Sequence, residues 1–240
     1  MFIYHALISI FFYITSLIVF ILFGALFIII GFLPNKFIFA YMPIFCRVLL
    51  LSMGVIIRIH GQFPKGGPFV IMFNHGSFID PFLYAGIIKG KFTGVIAAKN
   101  YRIPLFGIML KKFRAIPIHR ENQKKALESI RLAENVIKNE GYHMAILPEG
   151  TRTLDGNLKP FKKGGFHMAI NTNTPILPIG AVLPFHYKPK NRWTLRPGII
   201  NVYIGTPTKT SEYEKLGIQG LLNLVENKIG YLIQEKRIES

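Results

Sequence analysis

Phe69-Val70-Ile71-Met72-Phe73-Asn74-His75-Gly76-Ser77-Phe78-Ile79-Asp80-Pro81 is the stretch from which the rest of the chain can be read. Its five leading apolar residues have the length and composition of a short buried strand. Small and polar residues then turn the chain, and Asp80-Pro81 reads as a helix start, with Asp as N-cap and Pro at the first helical position. A strand entering a helix through a tight turn is the repeating unit of α/β sheets. The turn also holds an imidazole at a strand end five positions from a carboxylate at a helix start. That spacing suits a carboxylate that accepts the Nδ1 proton and leaves Nε2 as a base. Asp-Pro is also an ordinary helix-start dipeptide, and a lone histidine beside a turn is often only a satisfied polar residue. The catalytic reading therefore needs support from elsewhere in the chain.

Outward from this stretch, further β-like runs occur at residues 94–98, 115–118, 143–147, 176–182 and 199–204. Residues 121–140 carry the clearest helical periodicity. Ala126, Leu127, Ile130, Ala133, Val136 and Ile137 share one face, charged residues fill the other, and Gly141 stops the helix. A closing helix is expected over about residues 219–236. Strands alternating with helices predict an α/β domain over residues 61–240, with a mixed, largely parallel sheet covered by helices.

The second informative stretch, Leu147-Pro148-Glu149-Gly150-Thr151-Arg152, directly follows one of these strands. Ligands of open α/β sheets bind at the C-terminal ends of strands, where such a loop would sit. Arg152 offers bidentate recognition of a phosphate. Glu149 would repel an anion by itself, so its expected part is to orient Arg152 or to bind a substrate hydroxyl. A polar turn with a weak surface ion pair is the plain alternative. Lys99, Arg120, Lys159, Lys162 and Lys163 add positive charge to the same edge. Singly each suits a solvated surface; together with Arg152 they predict an anionic ligand.

Residues 2–33 contain no Lys, Arg, Asp or Glu, longer than the roughly 20 residues that cross a bilayer core. The run lacks a positive n-region and a cleavage site, so residues 1–34 read as a transmembrane anchor. Residues 35–60 are also apolar but carry Arg47 centrally, a costly arrangement for a spanning helix. They read as an interfacial membrane helix with Arg47 and Arg58 reaching toward head groups. Positive flanks C-terminal to the anchor place the domain on the cytoplasmic side of the inner membrane. The net charge of +17 and mean hydropathy of +0.35 fit a membrane surface with anionic partners. No nucleic-acid module is recognisable. Cys46 is the only cysteine, which removes an internal disulfide framework.

Taken together, these motifs resemble the glycerolipid acyltransferases of the lysophosphatidic acid acyltransferase type over roughly residues 58–182. Asn74-His75 through Asp80 is similar to the family's His-x4-Asp catalytic motif. Lys99, Ile103-Pro104, Gly107 and Ile116 to Arg120 resemble its second block, which contributes to glycerol phosphate binding. Pro148-Glu149-Gly150-Thr151-Arg152 matches its substrate-phosphate motif. Phe161-Lys162-Lys163-Gly164 resembles the following block, and Pro175-Ile176-Leu177-Pro178 a fourth motif, an apolar strand near the acyl site. His119 departs from the family's usual Asp and leaves the acceptor's identity open.

The resemblance implies His75 and Asp80 as catalytic residues, and Glu149, Gly150, Thr151, Arg152, Arg120 and Lys99 as substrate-binding residues. It implies no cofactor. Acyl-CoA or acyl-carrier protein would be the acyl donor, and a lysophospholipid, first of all 1-acylglycerol 3-phosphate, the acceptor. Glycerol 3-phosphate and lyso-ornithine lipid are the alternatives. Backbone N–H groups near Gly76 or Gly150 are candidates for stabilising the oxyanion. Three rivals explain less. A hydrolase would need Ser77 or Cys46 as nucleophile without a Gly-x-Ser-x-Gly elbow. A metal site at His75, Asp80 and Glu149 lacks a second histidine at ligand spacing. A membrane-anchored basic scaffold leaves the paired motifs as coincidence.

Overall fold

The computed structural model describes residues 2–119, 121–182 and 184–234. In chain order the elements are α1 Phe2–Ile30, α2 Asn35–Ser52, β1 Val55–His60, β2 Val70–Phe73, α3 Asp80–Ala85 and β3 Phe92–Ala97. A 3₁₀ turn at Ala98–Arg102 leads to α4 Phe106–Lys112, β4 Ile116–Ile118, α5 Gln123–Glu140 and β5 His143–Ile146. The chain continues through α6 Gly164–Asn171, β6 Ile176–Val182, α7 Pro184–Tyr187, β7 Gly198–Ile204 and α8 Glu212–Gln234.

The seven strands of the described residues form one sheet in the order β1-β7-β6-β2-β5-β3-β4. The block β6-β2-β5-β3-β4 is parallel, β7 runs antiparallel to β6, and β1 runs parallel to β7. This is the mixed, largely parallel α/β sheet expected from the alternating pattern. Every residue of β2 is buried, as a strand covered on both faces requires. Ile71 and Phe73 pack with α2 and α3 on one face, whereas Val70 and Met72 pack with α5, α6 and α8 on the other.

The α5 boundaries follow its local chemistry. Asn122 Oδ1 accepts from Lys125 N at 3.0 Å as the N-cap, and Gly141 closes the helix at φ +67°. The closing helix starts earlier than expected, at Glu212, and is broken at Gly217 (φ +65°). Its expected last two residues, Glu235 and Lys236, lie outside the described residues.

One expectation is corrected outright. Residues 55–60 are not the end of a membrane helix but edge strand β1, paired in parallel with β7 from Val55↔Gly198 to His60↔Tyr203. Gly54, at φ +75°, ends the helical run, but the unbroken apolar composition across it hid the change of period. The helix before it, α2, covers the sheet with Ile38, Phe45, Leu49 and Leu50 buried. Phe37, Ile44 and Leu51 face outward.

α1 lies along the same body. Leu195 N donates to Ser9 Oγ, Tyr13 OH to the Trp193 carbonyl, and Thr15 Oγ1 to the Ser52 carbonyl. Phe27 is fully buried, and Gly24 and Gly31 let the helix approach Leu105 and Lys112 of the α4 region. Its other face exposes large apolar side chains from Ile3 to Ile29, among them Leu7, Phe11, Ile14 and Leu22. A stripe of that size marks a surface for lipid or protein. By length and hydropathy both α1 and α2 are candidate spans.

Candidate active site

β2 and β5 are neighbours, with Met72 opposite Ile146. Three residues further along each strand, that register brings His75 level with Glu149. The two sequence motifs therefore share one point at the C-terminal edge of the parallel block. Asn74 fixes the exit of β2: its side-chain amide donates to the Ala181 carbonyl (3.0 Å) and accepts from Ala181 N (2.8 Å), extending the ladder toward β6. Tyr84 OH donates to the Asn74 carbonyl at 2.6 Å.

His75 Nδ1 lies 2.7 Å from Asp80 Oδ2, with the carboxylate fully buried and the imidazole side chain 12 % exposed. The same oxygen accepts from Gly76 N (2.8 Å) and Ser77 N (2.9 Å). An ionised carboxylate only accepts, so Nδ1 carries the proton and Nε2 keeps its lone pair. The expected role of Asp80 as a helix N-cap is corrected. Ile79 holds the cap position without a side-chain bond, and the Asp80 carboxylate turns back onto the loop before it. Three N–H donors there outweigh one capping bond.

Glu149 is also corrected. Among the described residues its carboxylate makes no ion pair with Arg152, one of the two parts expected of it. Its side chain is buried, Oε1 accepting from His75 N (2.6 Å) and Oε2 from Lys159 N (3.0 Å). Burial pushes its carboxyl up to about 7, against the pull of these two N–H donors. Glu149 is thus a bracket between the loop bearing His75 and the loop bearing Arg152; Thr153 N closes the same junction on the His75 carbonyl at 3.0 Å.

Gly150 sits at φ +70°, where a side chain would be strained, and its N–H donates to the Leu147 carbonyl. The Gly76 N–H is taken by Asp80. The N–H groups of these two glycines are therefore engaged within the loops, which leaves their neighbours as the candidates for the oxyanion.

His75 opens onto a groove of about 700 Å³. Thr151, Arg152 and Lys99 line it, as expected, and so does Lys190, which was not. Lys159, Lys162, Lys163, Glu149 and Gly150 do not line it, and Arg120 lies outside the described residues. Its apolar wall comes from Phe78, Phe82 and Phe106, together with Leu17 and Phe20 of α1. A smaller apolar cavity of about 90 Å³ shares Pro81, Phe82, Val95, Ile96, Phe106 and Leu147 with the groove and extends to Phe45, Cys46 and Phe113 beneath α2.

Lys188 and Lys190 were missed because their loop follows α7, beyond the last of the motifs. The dense cations of Lys188-Pro189-Lys190-Asn191-Arg192 were the available signal. The Lys188 ammonium, lying over the Phe78 ring, is held below its ordinary value by burial and then by the nearby charges of Arg152 and Arg192. Ser77 Oγ donates to the Lys188 carbonyl at 3.1 Å and ties this loop to the His75 turn. Ser77 is completely buried and Cys46 is buried in α2, so neither presents a nucleophile to the groove.

Residues 56–182 match the protein-family profile described as Acyltransferase. A 1-acyl-sn-glycerol-3-phosphate acyltransferase of Cocos nucifera is 33% identical over 183 residues, covering 75% of this chain and 58% of that protein. A protein of the same name from Pseudomonas aeruginosa is 33% identical over 138 residues, covering 58% of this chain and 53% of its own. The chain therefore spans little more than half the length of these relatives. Another, from Borreliella burgdorferi, is 31% identical over 192 residues, covering 76% of this chain and 74% of its own. The crystal structure of the 1-acyl-sn-glycerophosphate (LPA) acyltransferase PlsC from Thermotoga maritima superposes with a TM-score of 0.85 over 98% of this chain and 97% of that one, at 23% identity. That likeness shows the fold, while the profile match and the Borreliella relative show that the chain belongs to the acyltransferase family.

Proposed function

We propose that this protein is a membrane-associated acyltransferase that moves a fatty acyl group from an acyl thioester to the free hydroxyl of 1-acylglycerol 3-phosphate, giving phosphatidic acid. The observation that carries the reading is the His75–Asp80 pair, whose histidine lines a groove that also holds Arg152 and Lys99.

His75 Nε2 takes the acceptor hydroxyl proton as that oxygen attacks the thioester carbonyl carbon. The tetrahedral adduct collapses, the C–S bond breaks, and the proton passes from Nε2 to the departing sulfur. A thioester is already activated, so no acyl-enzyme is required; positioned base assistance supplies roughly 10²–10⁴-fold in rate. Arg152, with Lys99 and Lys190, would hold the acceptor phosphate and so choose which hydroxyl faces His75. The apolar cavity beneath α2 suits the methyl end of an acyl chain. The donor is acyl-CoA or acyl-carrier protein, whose negative charge the basic surface would attract. The exposed apolar faces of α1 and α2 support a membrane-associated domain, in this reading on the cytoplasmic side of the inner membrane, which a lysolipid would enter from the side.

The test is an assay of the detergent-solubilised full chain with both donors and a panel of acceptors. Arg152→Ala should raise KM for 1-acylglycerol 3-phosphate by about tenfold or more while sparing acceptors without phosphate. An unchanged KM would transfer the proposal to a phosphate-free acceptor such as lyso-ornithine lipid.

A further inference from the structure

The sheet edge opposite His75 carries a second opening, a cleft of about 610 Å³ between the middle of α2, the turn after α3 and the end of β1. Phe39, Pro43 and Ile59 give it an apolar wall, and Arg47, Lys89 and Gln62 its polar groups. Among the described residues neither Asp nor Glu lines it, and the chain contains no acidic residue before Asp80.

Arg47 is the reason the cleft is unusual. On α2 the outward residues Phe37, Ala40, Ile44, Arg47 and Leu51 recur at helical spacing, so position 47 interrupts an otherwise apolar exposed stripe. Its Nε donates to the Gly86 carbonyl at 2.8 Å, which bends the side chain off the stripe and over the cleft. Among the described residues no carboxylate pairs with it. A guanidinium stays charged at any physiological pH, and its planar fork of donors matches phosphate oxygens.

The geometry points to a lipid phosphate site: this cleft binds the head group of an anionic phospholipid, its phosphate held by Arg47 and Lys89 and its chains lying along the apolar stripe of α2. Charge and the stripe together select a membrane lipid over a free anion. A free phosphate would satisfy the cations but leave Phe37, Ile44 and Leu51 in water. A zwitterionic lipid would satisfy the stripe but bring its own cation toward Arg47. The site is remote from His75, so it would seat the enzyme on an anionic bilayer rather than take part in the acyl transfer.

The test is the melting temperature of the full chain in mild detergent, titrated with dihexanoyl phosphatidylglycerol, dihexanoyl phosphatidylcholine or inorganic phosphate. The expected result is a saturable rise of several degrees with the phosphatidylglycerol alone, kept in Arg152→Ala and weakened about tenfold or more in Arg47→Gln. Lys89→Gln, on an exposed turn where folding is not at stake, should shift the half-saturating concentration upward by about threefold or more. Loss of the response in Arg152→Ala would place the lipid in the groove at His75 and overturn the assignment. So would an equal response to inorganic phosphate or to phosphatidylcholine. If Arg47→Gln does not fold, Lys89→Gln decides, and an unchanged titration contradicts the site.

Discussion

At the residue scale, the hydrogen bonds already occupied decide what each side chain of the site can do. Asp80 is surrounded by N–H donors and can only accept, so it fixes one tautomer of His75. Asp80→Asn would present an amide to donors and invert that choice. We expect kcat to fall by about 10²-fold or more with little change in KM, since the base but not the phosphate site is altered. Glu149 makes a different prediction. Its carboxyl is raised to about 7 in the fold from an ordinary value of 4.5. The folded state therefore binds more protons than the unfolded state between those values, so its contribution to stability is fully present below pH 4.5 and fades as pH rises through 7. At 1.36 kcal/mol per unit this amounts to about 3 kcal/mol. Glu149→Gln should abolish that slope in urea titrations run from about pH 4.5 to 8, so that the wild type's advantage is largest at the acid end. A gap that widens with pH would contradict it. His75, Asp80 and Arg152 were legible in the sequence because their spacing carries chemistry. The bracket formed by Glu149 was not, because its partners are backbone amides brought together only by the pairing of β2 with β5.

Among the elements, α5 was readable to within two residues because periodicity and caps are local properties. β1 was not, since an apolar run gives no sign of where helix becomes strand until its partner β7 is known. α1 illustrates the same limit. As a sequence it is uniformly apolar, yet Ser9, Tyr13, Ser16, Phe20, Gly24, Phe27 and Gly31 recur at helical spacing along the side that meets the domain, with Ser9, Ser16 and Phe27 fully or nearly buried. Gly24 is the tightest test of that seam: a Cβ there would stand 3.0 Å from Leu105 Cδ2 and 3.2 Å from Met109 Sδ. Gly24→Leu should push α1 off α4 at a cost of about 1–3 kcal/mol, lowering the melting temperature. Because Leu17 and Phe20 line the groove, turnover should fall as well. A variant with unchanged melting and turnover would mean that α1 does not pack on the domain.

Over the whole molecule, charge and apolar surface act together. A net charge of +17 and the outward faces of α1 and α2 favour an anionic bilayer, and long-range attraction between exposed charges is screened by salt. Cosedimentation with vesicles containing phosphatidylglycerol should therefore weaken between about 0.05 and 0.5 M salt without being lost, because apolar insertion persists. Complete release would make the association purely electrostatic.

The central claim, that one imidazole aimed by Asp80 moves the proton, is tested most directly with His75→Ala in the full chain. Its acyl-transfer rate should be measured from a labelled thioester beside its affinity for 1-acylglycerol 3-phosphate. The expected result is a loss of turnover of roughly 10²–10⁴-fold with acceptor affinity within a few-fold of wild type. Transfer at near wild-type rate would contradict it.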